Sequence, residues 1–134
     1  MSQTTSSLDT LLQQAFVAIS GHNLSNASET LEEALSIDFD SYDVVTSLKY
    51  VNFWLDRQAN ADTMSEPFDR GEYYLAQWHA FQGFVARIGE TVEPAIHALR
   101  QFVFREALTH YRDVYQERSN RDPDLLVRIG RCYK

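Results

Sequence analysis

Cysteine is almost missing from this 134-residue chain: Cys132 stands alone, so neither an internal disulfide nor a thiolate metal cluster can form. Three prolines and five glycines are too few to build the turns of an all-β fold. No stretch approaches the ~18 consecutive apolar residues of a membrane span. The opening MSQTTSSL lacks the basic end and apolar core of a secretory leader. The expected address is cytoplasmic, away from membranes. A net charge of −7 leaves no general means of neutralising phosphates, which excludes nucleic acid as the expected partner.

Charge is also unevenly placed. Residues 1–66 carry ten acids and two bases, and residues 67–134 carry nine acids and ten bases. Such a division favours head-to-tail contacts or a basic ligand, or simply solubilises the surface.

Helical periodicity is what the chain has in quantity. Ser7 is the expected cap of a first helix bearing Leu8, Leu11, Leu12, Ala15, Phe16 and Ile19, which Gly21 ends. Ser25 is the expected cap of a second helix, which runs out at Asp38-Phe39-Asp40. Ser41 opens a third, reaching about Ala59. Its Val44, Val45, Leu48, Val51 and Leu55 share one face, and Tyr50, Phe53 and Trp54 lie largely on another. Residues 60–67 read as a loop. A fourth helix starts at Ser65 and Pro67, with Phe68, Leu75, Trp78, Val85 and Ile88 as its main stripe, and closes at Gly89. Gly71 and Gly83 inside it are expected to admit a neighbouring helix closely. Thr91 and Pro94 mark the next start, and residues 92–118 form either one helix or two meeting near 101–104. Pro123 then precedes a last helix with Leu125, Leu126 and Ile129. The fold class is all-α, with six to seven helices in antiparallel hairpins.

A family pattern surfaces near the end. Leu126, Ile129, Gly130 and Tyr133 fall on the W-x2-L-G-x2-Y of tetratricopeptide repeats. Ala107 and Tyr111 look like the A-x3-F of a second repeat helix, and Pro123 like the closing proline, four residues later than usual. In the first hairpin Ala27 and Leu31 fit A-x3-F, followed by Ala34. Ala27 and Ala107 are 80 residues apart, matching neither two nor three regular repeats. The chain thus resembles a tetratricopeptide-like array with a degenerate first hairpin (1–40), an irregular central hairpin (41–90), repeat-like helices (91–122) and the first helix of a truncated further repeat (123–134). The resemblance implies a right-handed superhelix of stacked hairpins that serves as a protein–protein interaction scaffold, takes a peptide or partner protein, needs no cofactor and performs no catalysis. A third reading, beside the scaffold and a ligand-binding bundle, is self-association through the unfinished last helix. Family members that clamp a C-terminal carboxylate use Lys and Asn where this chain has Leu12 and Phe16, so that clamp is not expected.

Two sets of side chains are candidates for a site. Tyr50, Phe53 and Trp54, with Lys49 and Asn52 beside them, can line a groove for an extended peptide or partner helix. Equally, the fourth helix can cover them with Trp78 and Phe81. Glu93 with His97, and Glu106 with His110, are i, i+4 pairs; across a hairpin they would offer two nitrogens and two oxygens to a metal. The rival reading is therefore a self-contained helical bundle holding a metal or small ligand. No phosphate loop, nucleophile elbow or H-E-x-x-H motif is present.

Overall fold

A computed structural model of the chain describes residues 2–118, 127 and 129–132. Five helices are described in full: α1 (Ser2–Ser20), α2 (Leu24–Ile37), α3 (Tyr42–Asp62), α4 (Pro67–Ile88) and α5 (Glu93–Arg118). Val127 and residues 129–131 are also helical, and no strand occurs among the described residues. The all-α expectation holds. Pro123, Leu126 and Tyr133 of the repeat pattern lie outside the described residues.

Helix ends follow local chemistry, with some departures from expectation. Ser7 lies inside α1 rather than capping it, since neither glycine nor proline precedes it to delay the start. Asn23, not Ser25, caps α2: its Oδ1 accepts the Asn26 N–H at 3.1 Å. That earlier start makes Leu24 helical, and Leu24 is buried. Ser41 caps α3 as expected, its Oγ accepting the Val44 N–H. α3 runs on to Asp62 because Ala61 is buried in the core, which shortens the loop to 63–66. The N-cap of α4 is Glu66 without a side-chain bond, and Pro67 occupies the first turn, where its missing N–H costs nothing. Gly89 ends α4 at φ +76°, the left-handed conformation glycine tolerates best. α5 is a single helix, so there is no break near 101–104.

Packing is circular. α1 pairs with α2, α2 with α3, α3 with α4 and α4 with α5, and α5 returns to lie against α1. In an open repeat array each hairpin touches only its neighbours. Contact between the first and fifth helices therefore makes the described part a closed bundle. α3 also reaches α5, which accounts for its two buried faces.

The centre of that bundle is aromatic. Trp54 is fully buried, with ring centroids of Tyr74, Trp78, Phe81 and Phe102 between 5.6 and 6.5 Å away. The small-to-large repeat positions share in the core: Ala27, Leu31, Ala34, Ala107 and Tyr111 are all 0% exposed. Hydroxyls complete the packing. Tyr42, Thr46 and Tyr50, one helical turn apart on α3, hold the α4–α5 connection. Thr46 donates to Glu90 Oε2 at 2.9 Å, Tyr50 donates to the Glu90 carbonyl at 2.7 Å, and the Thr91 N–H donates to Tyr42 Oη at 2.9 Å. Burial raises the Tyr50 phenol above its ordinary pKa, keeping it a neutral donor.

Of the two glycines in α4, Gly71 is the one at a close approach. A Cβ there would stand 2.9 Å from the Tyr111 ring on α5, whereas at Gly83 the nearest neighbour is the Arg87 guanidinium at 3.9 Å. Gly130 meets nothing within 4 Å among the described residues. Opposite outcomes follow for two similar substitutions. Gly71→Ala should lower the denaturation midpoint, overpacking of about 1–3 kcal/mol outweighing the helix-propensity gain. Gly83→Ala should raise it by up to about 1 kcal/mol. Urea unfolding of both variants checks this, and equal shifts would refute the close-approach reading.

Candidate functional site

The five aromatic-face residues divide between core and surface. Tyr50 and Trp54 are 0% exposed and unavailable to any ligand that leaves the fold intact. α4 covers them, as one of the two sequence readings allowed, through Trp78 and Phe81. Lys49 and Asn52 are exposed, and with the small remaining face of Phe53, a core residue only 9% exposed, they line a shallow groove of about 440 Å³ between α3 and α4, together with Asp56, Arg57, Phe84 and Arg87.

That groove has an aromatic floor and a cationic rim. Phe53 and Phe84 lie 5.0 Å apart between ring centroids, one from each helix. The Arg57 guanidinium sits 3.9 Å above the Phe53 ring, a distance at which a cation is attracted to the ring face. Its Nε donates to Gln77 Oε1 at 3.0 Å and its Nη1 donates to Asp56 Oδ2 at 2.8 Å. Asp56 is thus answered by Arg57 within the groove wall. Lys49 and Arg87 stand on the rim with no ion-pair partner among the described residues. The site's net charge is positive on a chain whose total is −7.

A second concavity lies between α4 and α5, where Trp78, Leu75, Phe104 and Arg100 meet Arg131. Cys132 borders the adjoining hollow with His97, Arg105 and Leu108. That concavity, at about 510 Å³, is larger and more enclosed than the α3–α4 groove, but residues 119–126, which join α5 to its wall, lie outside the described residues. Burial pushes the Cys132 thiol up to about 11, so it is a poor nucleophile at neutral pH.

The Glu–His pairs do not form the four-ligand cluster that a hairpin would have allowed. Because α5 is continuous, Glu93 and Glu106 are thirteen residues, or about 20 Å, apart along it. No group of three or more metal-ligating side chains is suitably placed among the described residues. Glu106 has a different role, which sequence spacing could not reveal. His22, from the α1–α2 turn, bonds through Nδ1 to Glu106 Oε1 at 2.5 Å, and His110 Nε2 lies 3.7 Å from Oε2. One carboxylate thereby ties the first hairpin to α5. His22 adopts φ +66°, a conformation in which a Cβ is costly. His110 stacks on Tyr74 with ring planes 9° apart.

These histidines make two separable predictions. His22→Gly removes the ring and relieves the backbone, whereas His22→Ala removes the ring and keeps the strain. The Ala variant should be the less stable by about 1 kcal/mol, measured by chemical denaturation. Burial lowers the His110 pKa, with Arg70 acting in the same direction and Glu106, Asp113 and Asp62 opposing. The unfolded chain therefore takes up this proton first. The stability contributed by neutral His110 is full above its unfolded pKa of ~6.5 and is lost as pH falls through the lower folded value. His110→Phe, which retains a ring to stack, should flatten the fall in thermal midpoint between about pH 7 and about pH 5. An unchanged slope would assign that fall to other groups.

No helix of the described residues is long and apolar enough to cross a membrane. No protein-family model, curated protein or solved structure matches this chain.

Proposed function

We propose that the chain is a cytoplasmic, non-catalytic protein-interaction module whose α3–α4 groove takes an extended peptide segment carrying acidic residues around an apolar anchor. One observation carries the reading: Lys49 and Arg87 flank Phe84 and the Arg57 guanidinium that lies over Phe53, with Asp56 as the sole acid in the groove wall. Fixed cations beside aromatic rings suit carboxylates next to an aromatic or aliphatic side chain, and Arg57 is held in place before any ligand arrives. The tetratricopeptide-like character enters as the hairpin unit. Its support is the burial of Ala27, Leu31, Ala34, Ala107 and Tyr111 in the core. The closure of α1 on α5 makes a groove between adjacent helices, not the concave face of a superhelix, the proposed binding surface.

The test is fluorescence anisotropy with a labelled ten-residue peptide, unrelated to this sequence, in which two aspartates flank one phenylalanine. Binding should weaken with added salt, and Arg87→Glu should reduce affinity by about tenfold or more, equivalent to about 1.4 kcal/mol. Thermal denaturation should show the exposed rim variant folded like the parent. Equal affinity for a peptide with both aspartates replaced by asparagine would overturn the proposal.

A further inference from the structure

The elbow between α2 and α3 displays apolar side chains among carboxylates. Phe39 is 76% exposed at its tip, with Ile37 and Tyr42 exposed by 42% and 45% beside it. Asp38, Asp40 and Asp43 alternate with these apolar residues in the stretch IDFDSYD. The surrounding chain reinforces that charge: residues 1–48 contain seven acids and neither lysine nor arginine.

The elbow is ordered by its own hydrogen bonds. Asp38 Oδ1 accepts the Asp40 N–H at 3.1 Å and the Asp38 carbonyl accepts the Ser41 N–H at 3.2 Å. Ser41 then caps α3, and Tyr42 Oη accepts the Thr91 N–H. Phe39 is therefore displayed on a fixed turn, so little conformational freedom is lost when it docks.

We propose that this elbow is a ligand for the α3–α4 groove of a second copy of the chain, so that copies associate head to tail. The inference rests on the groove reading above and names an occupant for it. Charges match in pairs: an apolar knob among three aspartates meets a groove where Arg57 lies over the Phe53 ring beside Phe84, with Lys49 and Arg87 at the rim. The contact is between copies, not within one. Elbow and groove are joined by the rigid α3 helix, whose rise from Tyr42 to Phe53 is about 16 Å, so the elbow cannot fold back onto its own groove. Two different patches meeting make a heterologous contact, which leads to rings or open chains rather than a closed two-fold dimer.

Sedimentation velocity on the intact chain at rising concentration tests this, together with the elbow peptide LSIDFDSYDVV added as competitor. The expected result is a concentration-dependent increase in mass that salt and the peptide both suppress. Phe39→Ser and Arg87→Glu should each abolish it. Mixing the two variants should restore heterodimers only, because each keeps one intact patch. Asp40→Arg combined with Arg87→Asp in one chain should recover association through the reversed pair. Monomer at all concentrations, with the unrelated acidic peptide still bound in the groove, would overturn head-to-tail association and leave the groove reading standing. Monomer with no binding of either peptide would remove both. Association unaffected by Phe39→Ser and Arg87→Glu would place the contact elsewhere and overturn the inference.

Discussion

Burial of Trp54 governs the rest of the structure. Tyr74, Trp78, Phe81 and Phe102 surround it from α4 and α5, and no smaller residue would hold three helices around one point. Deleting a buried side chain of this size typically costs about 3–5 kcal/mol, a large share of the stability of a small domain. Because α3 must present Tyr50 and Trp54 inward, only the flanks of that helix are left for other molecules. The groove at Lys49, Asn52 and Phe53 is one such flank. Core and surface here are two consequences of how one helix is rotated.

What was legible in the sequence was local. Ser41 before α3, Pro67 in the first turn of α4 and Gly89 after it each act within four residues, and each does what its chemistry predicts. Asn23 outcompeted Ser25 because the buried Leu24 had to be helical, a requirement visible only once the core is known. The strained backbone of His22 and its bond to Glu106 connect residues 84 apart, and no periodicity reports such a pairing. The hydroxyls of Thr46 and Tyr50 were concealed for the same reason. Their partners lie in the Glu90–Val92 connection, forty or more residues downstream.

Repeat spacing was ambiguous in a more instructive way. A small residue followed four positions later by a large one marks a seam where two helices approach, and Ala27–Leu31 and Ala107–Tyr111 are both buried at such seams. The pattern is silent on what lies beyond the seam. Stacking further hairpins and closing α5 onto α1 satisfy it equally well. Glu106 helps decide between them among the described residues, since its bond to His22 joins the first hairpin to the fifth helix.

Two of the charges around the groove and elbow follow helix direction. Carboxylates are favoured near helix N-termini and cations near C-termini, where the unpaired N–H and C=O groups leave partial charges. Asp43 lies in the first turn of α3, and Arg87 in the last turn of α4. The two helices run antiparallel, as the pairing of Arg57 with Gln77 and of Phe53 with Phe84 shows. Antiparallel pairing sets the C-terminal end of α4 beside the N-terminal half of α3. Arg87 therefore stands with Lys49 at the groove, about 16 Å of helix rise from the elbow that holds Asp43. Helix direction accounts for Asp43 and Arg87 alone. Lys49 and Arg57 lie within α3, and Asp38 caps the C-terminal end of α2, where a carboxylate is disfavoured, so the other charges of both patches owe nothing to the helix ends.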